Sequence, residues 1–270
     1  MAGVIQQLWI DGHVHVYPSY DWRVAVRSLA GNVARFSQGA GVCLGWLAEG
    51  AGYSFFREVR QAPERFRDGT LSIVPSGDPG ALVILEEGKV LAYLVAGRQL
   101  ITAERLEVLA IGVDGAWPDG EPLEKVLQNV RAAGGVPVLS WSPGKWFFRR
   151  GDVVRARIDS DPPGAFLLGD TALRPRGWGC PALLARGRKR GFKVMGGSDP
   201  LPLAGEEKRI GSCGVAVRAE FDPEQPAESV RRILRYGNVF FTPYGERLCP
   251  VDFFRKWIAN WKRKAGQSRG

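Results

Sequence analysis

The two histidines of this 270-residue chain, His13 and His15, stand one residue apart in Trp9-Ile10-Asp11-Gly12-His13-Val14-His15-Val16. A β-strand alternates its side chains between two faces, so His-x-His turns both imidazoles the same way. Leu8, Trp9, Ile10 and the valines form a short β-prone run that ends at Tyr17-Pro18-Ser19, a turn signal. Two neighbouring neutral imidazoles are good ligands for zinc, manganese or iron. The other reading is two ordinary strand-end histidines, one solvated and one bonded to the backbone.

A metal site needs more donors, and polar residues that close apolar runs are the places to find them. Asp199 follows Gly196-Gly197-Ser198 and precedes Pro200, a setting that helix or core requirements explain poorly, although an Asx-turn or helix cap would suit it. Asp170 closes Ala165-Phe-Leu-Leu-Gly169 and is followed by Thr171 and Arg174; it is either a ligand or base, or the cap of that turn. Glu107, inside Leu106-Glu-Val-Leu-Ala-Ile111, faces either the interior or solvent. A lone buried carboxylate is costly unless paired or ligated. The candidate metal ligands are therefore His13, His15, Glu107, Asp170 and Asp199, with Asp170 and Asp199 as candidate catalytic groups. A bound divalent cation would lower the pKa of a water, and a carboxylate that is not a ligand would accept its proton. Lys145, Arg174 and Arg209 follow strand ends and are candidates to hold a substrate carboxylate or phosphate, the alternative for each being an ordinary surface cation.

The elements that would position these groups are seven strands, at Leu8 to His15, Gly41 to Leu47, Leu106 to Gly112, Val136 to Trp141, Ala165 to Asp170, Phe192 to Gly197 and Cys213 to Ala219. Helices are expected at Trp22 to Gln38, Glu121 to Ala133, Asp152 to Ile158, Pro181 to Arg190 and Ala227 to Tyr236. Continuous apolar strands alternating with helices favour a parallel sheet or barrel, whose site gathers at the C-terminal strand ends. Leu71 to Val95 breaks this rhythm with a hairpin pattern around Glu87-Gly88, expected as an insertion beside the barrel or a small lid. The basic segment from Val251 to Lys264 has aromatic residues at helical spacing. It is expected as a closing helix packed on the barrel, with membrane or nucleic-acid binding as the alternatives.

A composition 45% hydrophobic and 24% charged is that of a globular protein, and the absence of repeats and low-complexity linkers favours one domain over residues 1–270. No apolar run is long enough to cross a bilayer and no signal-peptide pattern opens the chain, so a cytoplasmic location is expected. Cys43, Cys180, Cys213 and Cys249 form no Cys-x-x-Cys pair, which argues against a zinc module or a redox motif. The net charge of +9 is compatible with an anionic substrate, nucleic acid or an acidic membrane surface, and much of it lies in Arg186–Arg190 and the C-terminal stretch, where a solvated helix face is the other reading; a small anionic substrate is the partner expected. No recognised nucleic-acid motif is present, so nucleic acid is not expected as a partner.

Asp11-Gly12-His13-Val14-His15 together with Gly197-Ser198-Asp199 resembles the polymerase and histidinol phosphatase (PHP) family, and the strand order is similar to it. The broader amidohydrolase superfamily shares the opening His-x-His and the late Asp. The resemblance implies a distorted seven-stranded β/α (TIM-like) barrel with a β-hairpin insertion, one or two divalent metal ions at its rim, and metal-dependent hydrolysis, chiefly of phosphoesters. Leu201 stands where that family has a late histidine, and Ser140-Trp141-Ser142-Pro143 where a His-Pro is usual, which implies a reduced metal site. The alternatives are a barrel that has lost catalysis and binds a small anion or a protein partner, and an amidohydrolase-type C–N hydrolase.

Overall fold

The computed structural model describes residues 3–236 and 238–267. Thirteen strands and seven α-helices are found among them. In chain order they are β1 (Val4–Val14), α1 (Trp22–Ser37), β2 (Val42–Leu47), α2 (Phe55–Gln61), β3 (Arg67–Asp68), β4 (Leu71–Pro75), β5 (Ala81–Glu86), β6 (Lys89–Val95), β7 (Gly97–Ile101), β8 (Glu107–Ile111), α3 (Leu123–Ala132), β9 (Val136–Ser140), α4 (Phe148–Ser160), β10 (Leu167–Thr171), α5 (Ala182–Lys189), β11 (Val194–Gly197), β12 (Cys213–Phe221), α6 (Pro226–Tyr236), β13 (Thr242–Gly245) and α7 (Pro250–Gln267).

The strands form two sheets, ordered β13-β12-β1-β2-β6-β5-β4-β3 and β11-β10-β9-β8-β7. Their inner faces enclose one core: Leu8, Ile10, Leu44, Trp46, Val95, Leu109, Val138, Leu167, Met195 and Val215 meet there, and α6 adds Ala227, Val230, Ile233 and Leu234. A second apolar layer packs α1, through Ala25, Val26, Leu29 and Val33, onto the outer face of the first sheet. A third packs α3, α4 and α5 onto the second sheet. Fully burying each such aliphatic side chain contributes roughly 1.5–3 kcal/mol, which is why the apolar runs were readable as strands and helix stripes.

The expected TIM-like barrel is not found: no closed barrel forms among the described residues. Chain direction is the physical reason. β8 runs antiparallel to both β7 and β9 although α3 connects it to β9, and β12 runs antiparallel to β1, so the two sheets are mixed rather than all-parallel. At their seams the sheets meet through a parallel bridge between Glu49 and Arg98, with Glu49 exchanging backbone bonds with Gly97 and Gln99, and through the Asp199 amide donating to the His13 carbonyl at 2.9 Å. The hairpin forms with Glu87 and Gly88 both at positive φ, as a two-residue turn of twisted strands requires. It is not set beside the sheet, because β6 pairs parallel with β2.

Candidate metal centre

The pairing of β1 with β2 shifts register between Asp11 and Val14, and this irregularity aims the histidines. Before it, Leu8 and Ile10 point into the central core while Trp9 points outward; after it, Val14 and Val16 are the outward residues. The shift therefore exchanges the faces, and His13 and His15 turn inward at the rim. Asp11 holds the distorted strand in place. Its Oδ1 accepts from the amides of Ser198 at 2.8 Å and His13 at 3.2 Å, and its Oδ2 from the Gly211 amide at 2.7 Å. Burial pushes the Asp11 carboxyl up to about 6 against the downward pull of these bonds.

Asp199 completes the group from the loop after β11. Its backbone takes φ 47°, uncommon for a residue with a side chain but tolerated by Asp. Gly197 allows the approach, since a Cβ there would lie 2.4 Å from the His13 Cβ. His13 Nε2 and His15 Nε2 are 3.0 Å apart, and Asp199 Oδ1 lies 3.5 Å from the first and 3.6 Å from the second. All three residues are buried, and their donor atoms lie within 4.8 Å of one another. Ligand atoms about 2.0–2.2 Å from one cation lie about 3.0–3.5 Å from each other, so this donor set fits a single divalent ion with an open side.

The surroundings prepare the donors. Burial raises the Asp199 carboxyl, but His13, His15 and Thr171 outweigh it and hold the group down at about 2. Thr171 Oγ1 donates to Asp199 Oδ2 at 3.1 Å. Burial lowers the His15 pKa, which favours the neutral, ligating form. Its Nδ1 lies 3.2 Å from the Tyr53 hydroxyl, and Tyr17 stacks on the ring at 5.0 Å. Gln99 Oε1 lies 3.1 Å from His13 Nε2. Arg98 fixes the Tyr53 loop by donating to the carbonyls of Tyr53 and Gly50 at 3.1 and 3.0 Å.

His15 and Asp199 open onto a cavity of about 650 Å³, which Tyr53, Gln99, Glu107 and Lys145 also line. Glu107 reaches it because β8 is antiparallel: Glu107 pairs with Ser140, so the start of β8 lies beside the end of β9. Glu107 is not one of the clustered donors; it pairs with Lys145 at 3.0 Å and accepts from Ser142 at 3.2 Å. Asp170 also stands outside the group. Thr171 takes the position facing Asp199, while Asp170 is held by Arg174 through Nε at 3.0 Å and Nη2 at 2.6 Å, and by Arg247 at 3.2 Å. Arg174 is thereby committed to Asp170 and does not line the cavity, and neither does Arg209, which lies 3.7 Å from Glu206.

Helix α7 walls the opposite side of the cavity with Phe253, Lys256, Trp257, Asn260 and Arg263. Lys256 and Arg263 turn toward the cavity, while Phe254, Ile258 and Trp261 are exposed. Tyr53, Gln99, Thr171 and Lys256 were not identified from sequence, since none lies in a motif and each arrives through tertiary contacts.

Similarly folded proteins have been solved. PsfC from Pseudomonas syringae PB-5123 superposes with a TM-score of 0.57 at 15% identity, over 96% of this chain and 98% of that one. Endonuclease Q from Pyrococcus furiosus gives 0.48 at 10% identity, over 90% of this chain and 59% of its own length. An endonuclease Q complex with a 27-mer duplex carrying an abasic lesion gives 0.47, also at 10% identity, with 60% of that chain covered. At this level of identity the likeness to PsfC is one of fold alone. No family model matches the chain, and no curated protein sequence matches it. Against the expectation that set nucleic acid aside as a partner, one of these solved structures is an endonuclease Q complex with a 27-mer duplex substrate, a property of that protein. Among the described residues, no helix is long and apolar enough to cross a membrane.

Proposed function

We propose that the protein is a metal-dependent hydrolase of phosphoesters, with His13, His15 and Asp199 as the ligands of one divalent cation. The observation that carries this reading is the convergence of three buried donors, two of which, His15 and Asp199, line an open cavity. A divalent cation bound there would polarise a phosphoryl oxygen and acidify a water. The chain's own residues do the rest. Lys145 and Lys256 line the same cavity, held by Glu107 and Glu206, and would place positive charge beside the phosphate oxygens. Glu107, the lining carboxylate outside the triad, accepts the proton of the attacking water. Tyr53 holds the His15 ring through Nδ1, and burial pushes its own phenol up to about 12, so it stays protonated at neutral pH. Thr171 holds Asp199, while Asp170 serves by tying down Arg174.

Hydrolysis of 4-nitrophenyl phosphate and of its bis-ester, measured with zinc, manganese or iron supplied in turn, tests the proposal. Turnover with at least one ion, abolished in Asp199→Asn and reduced in Glu107→Gln, is expected. Metal-loaded protein that turns over neither ester would contradict the phosphoesterase reading and favour a scaffold that binds an anion without cleaving it.

A further inference from the structure

Helix α7 presents two unlike faces. Toward the cavity it turns Phe253, Lys256, Asn260 and Arg263; Lys256 is held there by Glu206, and Arg263 donates to Asn260 Oδ1 at 3.2 Å. Its outer face is apolar. Val251, Phe254, Ile258 and Trp261 recur at intervals of three, four and three residues, which on one helix aligns them in a single stripe about 15 Å long. They stand 66%, 59%, 45% and 62% exposed. Trp257 borders the stripe between Phe254 and Trp261, half-exposed although it also lines the cavity. Scattered apolar side chains on a surface are ordinary, whereas a contiguous stripe of large ones marks a face that meets something.

Charge decides what can cover it. From Pro250 to Gln267 the helix carries Arg255, Lys256, Lys262, Arg263 and Lys264 against one carboxylate, Asp252. Lys256 and Arg263 are engaged on the cavity side and add nothing to the outer face. Arg255 and Lys262 do belong to it: they stand three and four residues from Ile258, along the edge of the stripe away from Trp257, and both are exposed. Arg255 keeps one contact to Asp252, at 3.8 Å, with most of its side chain in water. A second copy of α7 packed on this stripe would set these cations against their own images. Five partly exposed side chains also amount to less than the about 800 Å² per partner that a stable protein interface takes. An anionic bilayer surface accepts both features. Its headgroup region takes up Trp, Phe and aliphatic side chains at shallow depth, while Lys and Arg stay with the lipid phosphates.

We propose that the outer face of α7 docks the protein peripherally on an anionic phospholipid bilayer, with Phe254, Ile258 and Trp261 at headgroup level and Arg255 and Lys262 on the phosphates. Docking of this kind does not depend on the hydrolase reading. It sets one wall of the cavity against the membrane surface, since α7 is that wall.

The test is cosedimentation of the full chain, stripped of metal, with vesicles of phosphatidylcholine alone or mixed with phosphatidylglycerol. The expected result is binding to the mixed vesicles only, weakened by salt. Quenching of tryptophan emission by lipids brominated near the headgroup end of the acyl chain should accompany it, a readout that needs no variant. In the Phe254→Gln, Ile258→Gln, Trp261→Gln triple variant, with circular dichroism unchanged, affinity should fall by about tenfold or more, and in Lys262→Gln by about fivefold. Absence of binding to mixed vesicles at low salt, or equal affinity of the triple variant, would overturn the proposal. So would a dimer in solution that does not bind vesicles and that the triple variant converts to monomer, or tighter binding of the same face to an oligothymidylate strand. Because no metal takes part, failure here leaves the hydrolase reading untouched, and an unmetallated triad beside intact vesicle binding rejects that reading alone.

Discussion

Asp199 carries two duties in one residue: Oδ1 faces both imidazoles and Oδ2 is held by Thr171. Removing that hydroxyl in Thr171→Val is expected to weaken metal affinity by about tenfold to a hundredfold, as loss of an outer hydrogen bond to a ligand does. Competition with a chromogenic chelator measures it, and unchanged affinity would count against Asp199 as a ligand. Asp170 makes the opposite prediction. Its partner Arg174 is buried, so Asp170→Asn leaves that guanidinium poorly compensated and should cost about 3–5 kcal/mol of stability while the metal is retained. Thermal unfolding and metal content measured on the same sample separate the two roles. His13, His15 and Asp199 were legible as candidates because the His-x-His spacing and the Gly-Gly-Ser before Asp199 are poorly explained by helix or core requirements, although strand-end and turn-cap readings stood beside them. Asp170 against Thr171 was not, because adjacent strand residues face opposite ways and the choice between them is made by register.

At the scale of elements, the apolar runs that became β1, β2 and β8 to β12 were readable, and so was the hairpin turn. Direction was not readable. An apolar run looks the same whichever way its strand runs, and β8 lying antiparallel is what turned Glu107 from an uncertain strand residue into a cavity residue. The register shift in β1 was equally hidden, although Gly12 stands within it. Close approach of β11 to the end of β1 depends on Gly197. Gly197→Ala would place a Cβ 2.4 Å from that of His13, so it should cost roughly 1–3 kcal/mol by overpacking and displace the imidazole. A lowered unfolding temperature together with lost metal is the expected pair of results; a stable variant with full metal content would show the seam to be looser than described. For α7, helical spacing was legible but its orientation was not. Rings at that spacing normally face the core; here Phe253 and Trp257 share the cavity wall with Lys256 and Arg263, while Phe254 and Trp261 are exposed.

Across the whole molecule, two sheets bury a shared core, and the triad sits at the rim where the end of β1 packs closely against the end of β11. That arrangement keeps the ligands rigid at their bases and the cavity accessible above them. The measurement that tests the central claim most directly is elemental analysis of protein purified without chelator, set beside the His13→Ala, His15→Ala double variant. The account predicts close to one equivalent of zinc, manganese or iron per chain in the parent protein and its loss in the folded variant. A parent protein that holds no metal after incubation with each ion, or a variant that retains it fully, would contradict a metal centre at His13, His15 and Asp199.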